Sequence, residues 1–167
     1  PVYNEETAIS EVIGAIDETL KKEKMEYEII VVDDGSTDST RVILSKYTGK
    51  IELIHHPENV GYGRSIKDGI VKAKYPYVCI VDGDASYPIH RIPDLMRHLG
   101  EYDMVIGQRT GKNYRGSLLK YPARILFLWL SEFASGRRIP DVNSGFRVFK
   151  KDAVKKHFNT LCAGFSF

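Results

Sequence analysis

The chain has 167 residues, with 43 % hydrophobic and 28 % charged side chains, a balance that fits a globular domain with its own core and excludes a disordered tail. Its 24 Lys and Arg against 22 Asp and Glu leave a net charge of +2, which excludes a strongly basic nucleic-acid binder. The total hides an asymmetry: residues 1–100 carry 12 basic and 17 acidic side chains, a balance of −5, whereas residues 101–167 carry 12 and 5, a balance of +7.

Apolar residues Ile9, Val12, Ile13, Ile16 and Leu20 recur at helical spacing and predict a helix over 6–20. The β-branched run 28–33 predicts a buried strand that ends on Asp33. Thr37-Asp38-Ser39-Thr40 offers N-cap chemistry for a helix through Val42, Ile43 and Tyr47. A short strand at 51–54 follows, then a helix over 61–74 with Ile66, Ile70 and Ala73 on one face. Residues 77–81 form another buried strand, ending at Asp82; 92–99 form a helix and 103–107 a strand. A polar loop near 108–117 precedes a long apolar helix over 118–134.

Strands alternating with helices predict an α/β fold, a mostly parallel sheet covered on both faces. Ligands of such sheets bind beyond the carboxyl ends of the strands. Asp33-Asp34-Gly35, Asp82-Gly83-Asp84 and Gly107-Gln108-Arg109 all fall there. No repeat, low-complexity tract or linker divides residues 1–167, so a single domain is expected. The chain opens on Pro1 rather than Met, so it reads as part of a longer protein. Cys79 and Cys162 are too few for a disulfide framework or zinc site, and Cys79 reads as a buried structural thiol. No run reaches the ~18 apolar residues of a membrane span.

Two carboxylates separated by one residue on a loop leaving a buried strand, Asp82 and Asp84, can face one hard cation. Mg²⁺ or Mn²⁺ takes one or two carboxylates and completes its shell with water and phosphate. At the other acidic strand end, Asp33-Asp34, a carboxylate can accept from a base N–H or a ribose hydroxyl. Asp34 reads as the ligand there, and Ser36 and Asp38 as the start of the next helix. His55 and His56 precede Pro57 in a loop with no carboxylate or Cys cluster beside them, so no metal role is expected of them. The apolar stretch 125–130 suits a core helix. With Trp129, Tyr121 and Phe133 beside Lys120, Arg124, Arg137 and Arg138, it also suits a helix on a membrane surface.

Five segments occur in an order that resembles glycosyltransferase family 2: Pro1-Val2-Tyr3-Asn4-Glu5-Glu6, Val32-Asp33-Asp34-Gly35-Ser36-Thr37-Asp38, Asn59-Val60-Gly61-Tyr62-Gly63, Asp82-Gly83-Asp84 and Asp141-Val142-Asn143-Ser144-Gly145-Phe146-Arg147. Within it the chain is similar to the polyprenyl-phosphate sugar transferases, the dolichyl-phosphate mannose synthase group. The resemblance implies a GT-A fold, a UDP- or GDP-sugar as the substrate, Mg²⁺ or Mn²⁺ as cofactor and a polyprenyl phosphate as acceptor, at the cytoplasmic face of a membrane. Pro1, Tyr3, Glu5, Asp33, Asp34, Asp82 and Gly83 then line the nucleotide site. Asp82 and Asp84 hold the metal, Arg109 and Arg124 hold the acceptor phosphate, and Asp84, Asp141 and Arg109 are the candidate catalytic residues. Asp141 is either a base facing a hydroxyl acceptor or an ion-pair partner of Arg147. The resemblance also implies a strand before Pro1 and further chain after Phe167.

Other readings remain open on these residues. A family 2 enzyme can act on a polysaccharide or glycan hydroxyl. A metal-dependent nucleotidyltransferase or phosphohydrolase also places paired aspartates at strand ends, although Tyr3-Asn4-Glu5-Glu6 lacks the Gly-rich basic loop of the former. A nucleotide-sugar-binding module without catalysis is the non-enzymatic alternative.

Overall fold

The computed structural model describes residues 1–108, 129–133, 136, 138, 141 and 144–160. The predicted alternation is present, with shifted ends: α1 (Ile9–Lys22), β1 (Ile30–Asp33), α2 (Thr40–Ser45), β2 (Glu52–His55), α3 (Tyr62–Lys72) and β3 (Tyr77–Ile80). Then come α4 (Ile92–Arg97) between two single 3₁₀ turns, β4 (Met104–Ile106), β5 (Arg147–Lys150) and α5 (Lys151–Lys155). Helix α1 starts late because the Glu5 carbonyl already accepts from the amides of Ala8 and Ile9, at 3.1 and 3.0 Å, which closes its first turn.

β1 and β2 pair in parallel, with Asp33 opposite His55. Val2 extends this sheet on the other side of β1: its amide donates to the Val32 carbonyl and its carbonyl accepts from the Asp34 amide, both at 2.9 Å. Val31 packs with Ile9, Ile13 and Leu44 under α1 and α2. Val32 points the other way, toward Gly69 of α3. Successive side chains thus feed opposite layers, as a strand buried on both faces requires. On the α3 side Ile66, Ile70, Ile80, Phe149 and Val154 form a separate cluster. Full burial of each such side chain stabilises by about 1.5–3 kcal/mol relative to exposure.

The second sheet departs from the simple βαβ expectation. β3 and β4 are not neighbours, because β5 lies between them and runs antiparallel to both. β5 is a strand the sequence pattern did not reveal. Val148 and Phe149 are both fully buried, one on each face, so the strand shows no apolar-polar alternation. An apolar groove of about 500 Å³ separates β1 from β3, with Ile30, Val32, Val78, Ile80 and Pro1 among its walls.

Cys79 is half-buried, packed against the cluster around Val12 and Ile92, and burial pushes its thiol up to about 12. The thiol expected to be buried is thus partly exposed, though packed and raised in pKa as a structural thiol is. Of the expected helix over 118–134, residues 129–133 are described and helical. Trp129 and Phe133 are exposed there and stack with ring centroids 5.6 Å apart. Arg109, Arg124 and residues 118–128 lie outside the described residues. Among the described residues no helix is long and apolar enough to cross a membrane.

Candidate active site

The Asn4 carboxamide oxygen accepts from the amides of Thr37 and Asp38 at 2.8 and 3.4 Å, and the Asn4 amide donates to Ser36 Oγ at 3.0 Å. The Glu5 amide donates to Thr40 Oγ1 at 2.8 Å. Asp38 accepts from the Glu6 amide and the Thr40 amide, while Glu6 accepts from the Ser39 amide. Two motifs far apart in sequence are thus zipped together at the ends of Val2 and β1. Ser36 and Asp38 hold this seam; α2 itself opens at Ser39, with no side-chain cap, so the expected helix-start role of Ser36 is replaced by its bond from Asn4. Asn4 takes a positive φ of 57° to make the turn, which Asn tolerates better than most residues. The seam projects Tyr3, 45 % exposed, and the Glu5 carboxylate into a cavity.

That cavity holds about 290 Å³ and is lined by Pro1, Val2, Tyr3, Glu5, Asp34, Asn59, Tyr62, Asp82, Gly83 and Asp84. It therefore brings together Pro1, Tyr3, Glu5, Asp34, Asp82, Gly83 and Asp84 from the sequence-predicted set. Asp33 is a correction. It is fully buried and forms no part of the cavity wall; its carboxylate accepts from the Ser36 amide at 3.1 Å and faces His55 Nδ1 at 2.8 Å. An acid at 0 % exposure, with these partners, closes the turn after β1 and lies behind the cavity lining.

Asp34 is 4 % exposed. Its carboxylate faces His56 Nδ1 at 2.8 Å and accepts from the amides of Val60 and Gly61, each at 3.0 Å. Burial by itself would raise its pKa, but the donors from Val60, His56 and Gly61 hold it below the ordinary carboxylate value. A carboxylate has about four lone-pair positions, and three are already taken by these partners. The two histidines correct a second expectation: Asp33, Asp34 and Asp68 all face them. The signal was available, since parallel pairing of β1 with β2 sets His55-His56 beside Asp33-Asp34.

The Asp82-Gly83-Asp84 loop is built differently. Tyr62 Oη donates to Asp82 Oδ1 at 3.0 Å and Tyr87 Oη to Asp82 Oδ2 at 2.8 Å. Tyr87 is seated by stacking on Phe146, with centroids 5.4 Å apart. Gly145 is required beneath: a Cβ there would lie 2.5 Å from Tyr87 Oη and 3.1 Å from Asp82 Oδ2. Gly83 is also confined, its imaginary Cβ 2.5 Å from Val2 Cγ1. Asp84 is exposed; one of its oxygens accepts from the Ser86 amide at 2.9 Å, and the other takes no bond from a described residue. Burial pushes the Tyr62 phenol well above its usual range, helped by the adjacent Asp82 charge.

Negative charge gathers at this end of the cavity. Burial and then the charges of Asp84, Asp38 and Asp82 hold the Glu5 carboxyl above its usual value. Arg147, half-buried, faces Tyr62, Tyr87, Asp82 and Asp141, and burial lowers its pKa; its guanidinium donates to the Ser144 carbonyl. Ser144 Oγ in turn donates to the Gly107 carbonyl at 2.6 Å, which ties the Asp141–Arg147 segment to the end of β4. Asp141 is 4 % exposed and lies outside the cavity wall. Among the described residues no group of three or more His, Cys, Asp or Glu side chains is arranged to hold a metal. The donor set that fits a hard cation is Asp84, supported by Asp82, with phosphate oxygens completing the shell.

The acidic cavity lies at the carboxyl ends of β1 and β3, and the fold is a GT-A fold. The fold matches glucosyl-3-phosphoglycerate synthase from Mycobacterium tuberculosis, solved in complex with UDP, with a TM-score of 0.66 at 20 % identity, over 91 % of this chain and 55 % of that one. Residues 1–158 match the family model for glycosyl transferase family 2, and the chain belongs to that family. It is 29 % identical to a dolichyl-phosphate beta-glucosyltransferase of Dictyostelium discoideum, over 96 % of this chain and 55 % of the relative. It is 25 % identical to a dodecaprenyl-phosphate galacturonate synthase of Rhizobium johnstonii, over 93 % of this chain and 48 % of that protein. The chain thus spans about half the length of these curated relatives.

Proposed function

We propose that the chain is the catalytic core of an inverting transferase that moves a sugar from a UDP- or GDP-sugar to a polyprenyl phosphate. The observation that carries this reading is the contrast within one cavity: Asp82 immobilised by two phenols, Asp84 exposed beside it, and the Glu5 carboxyl held high by burial and then by the neighbouring acids. Negative charge gathered around the open Asp84 carboxylate suits a divalent cation with a diphosphate. The names of the two polyprenyl-phosphate relatives support the acceptor class.

In the reaction, the bond between the sugar C1 and the β-phosphate oxygen breaks, the nucleoside diphosphate leaves, and a phosphate oxygen of the acceptor bonds to C1 from the opposite face. Mg²⁺ or Mn²⁺ held by Asp84 and Asp82 would neutralise the charge that grows on the leaving diphosphate. Tyr3 presents an exposed ring to the nucleoside, and Pro1, Gly83 and Asp34 close the wall around it. Asp34 keeps about one lone-pair position for the ligand. A phosphate acceptor is already anionic and needs cationic positioning more than a base; Arg109 and Arg124 are assigned that role by the family resemblance, their guanidinium forks suiting phosphate oxygens. Asp141, buried beside Arg147, then orders the acceptor side of the site. The exposed Trp129–Phe133 pair, with exposed Arg138 nearby in sequence, suits contact with the cytoplasmic face of an anionic membrane.

The test is incubation of the chain with a panel of UDP- and GDP-sugars, Mn²⁺ and undecaprenyl or dolichyl phosphate, with lipid products read by mass spectrometry. A polyprenyl monophosphate sugar of inverted anomeric configuration is expected. Release of free sugar alone, or transfer only to a hydroxyl acceptor, would overturn the assignment.

A further inference from the structure

Asn59, one of the residues that line the cavity, lies on the segment that connects β2 to α3, and little apolar packing holds that segment. Glu58, Asn59 and Val60 are all exposed, so the segment cannot be fixed by burial. Its backbone is instead fixed from beneath. The amides of Val60 and Gly61 donate to the two oxygens of Asp34. The 58–59 peptide lies directly on Gly35, where a Cβ would come within 2.5 Å of the Glu58 carbonyl carbon. Gly61 takes a φ of 99° to turn the chain into α3.

Asp34 can hold two consecutive amides only in one rotamer, and His56 supplies that restraint. Its Nδ1 lies 2.8 Å from Asp34 Oδ1, while its Nε2 lies 3.2 Å from Asp68 Oδ2 on α3. Asp68 is itself met by Arg64 Nε at 2.8 Å. The chain Asp34–His56–Asp68–Arg64 therefore ties the end of β1, the start of the connecting segment and the second turn of α3 into one unit. Asn59 rides on this unit. Its side chain lines the cavity with Tyr3 and Asp34 and makes no hydrogen bond to another described residue, so its carboxamide is available to a ligand.

We propose that His56 is a positioning residue for the nucleotide: by bridging Asp34 to Asp68 it fixes segment 58–61, and Asn59 on that segment contacts the nucleoside. This rests on the reading of the cavity as a nucleotide-sugar site. It gives a purpose to His56, which lies outside the cavity lining. It also divides the cavity into a phosphate end governed by Asp84 and a nucleoside end whose shape is set by a hydrogen-bonded chain reaching into α3.

The experiment combines two readouts on the full chain and on His56→Ala, Asp68→Ala and Asn59→Ala. Amide hydrogen exchange at Val60 and Gly61 reports the anchoring, and calorimetry with UDP and GDP in Mn²⁺ reports the nucleoside end. Loss of one restraining hydrogen bond is expected to speed exchange at both amides, and to weaken UDP or GDP binding, by about five- to tenfold in His56→Ala and Asp68→Ala. Asn59→Ala is expected to weaken the nucleotide by a similar factor with exchange unchanged. The requirement for Mn²⁺ is retained in all three. A merely structural histidine would lower the melting temperature of His56→Ala yet leave exchange at Val60 and Gly61 and nucleotide affinity as they were, well below that temperature; this overturns the proposal. Should His56→Ala not fold, Asp68→Ala carries the same decision. If the unaltered chain binds neither nucleotide, the functional reading fails, and the exchange data alone decide whether His56 anchors the segment.

Discussion

The two acidic strand ends invite comparison, because both place carboxylates at the carboxyl end of a strand, buried in β1 and half-open in β3, and they do opposite things with them. After β1, Asp33 and Asp34 are 0 % and 4 % exposed and surrounded by amides and histidines. After β3, Asp82 is braced by two phenols and Asp84 stands open. Buried carboxylates with several donors are structural fasteners, and removing one leaves its partners unsatisfied. An open carboxylate beside a braced one retains lone pairs for a cation. The residue type is the same; the number of local donors decides whether an acid builds the site or works in it.

That distinction is broken most directly by Asp84→Ala. Transfer is expected to fall by about 10²–10³-fold with the melting temperature almost unchanged, since Asp84 is exposed. Equal losses of transfer and of thermal stability would erase the contrast. Asp33→Ala is the mirror experiment. Urea unfolding is expected to show a loss of about 1–3 kcal/mol, as when buried donors lose their acceptor, and a variant as stable as the parent would contradict the fastener role. Gly145→Ala sharpens the comparison from the side of β5. A methyl group 2.5 Å from Tyr87 Oη must move that phenol off Asp82, so metal-dependent nucleotide affinity is expected to drop about tenfold, consistent with the cost of sub-ångström to ångström misplacement in a site. Unaltered affinity would mean that the phenol brace has no bearing on the ligand.

The smallest effect concerns pH. The Asp34 carboxyl is held below its ordinary value, so its ionised form stabilises the fold. That contribution is complete above the unfolded-state value near about pH 4 and is lost as pH falls through the lower folded value. Urea midpoints measured from pH 6 down to 3 should therefore decline more steeply for the parent chain than for Asp34→Asn. Parallel profiles would show that the carboxylate charge is not what fastens segment 58–61.

Much of the architecture could be read from sequence where local pattern and tertiary role agree. Ile29 to Val32 and Tyr77 to Ile80 are short apolar runs that end in acids, and they became β1 and β3 with their carboxyl ends at the cavity. β5 was hidden because its partners, β3 and β4, come from far earlier in the chain and its two central residues are buried on opposite faces. Asp34 reads as the ligand at its strand end, but only the resemblance adds Asp33 to the site; one dihedral step along the strand turns Asp33 into the interior and Asp34 to the edge of the cavity. The brace on Asp82 was invisible for the same reason as the histidine chain. Tyr62, Tyr87 and Gly145 meet only after three separate elements have packed, and no local spacing encodes that meeting. The charge asymmetry between the halves gains a sharper meaning: of the acids in residues 1–100, Glu5, Asp34, Asp82 and Asp84 converge on one cavity.

Calorimetric titration of UDP and GDP into the parent chain and into Asp84→Ala, each with and without Mn²⁺, tests the central claim most directly. The parent is expected to bind one of the two nucleotides tightly only when Mn²⁺ is present, and Asp84→Ala to bind equally weakly in both conditions. Equal affinity of the parent chain with and without Mn²⁺ would contradict the assignment of the second acidic strand end as the cation site.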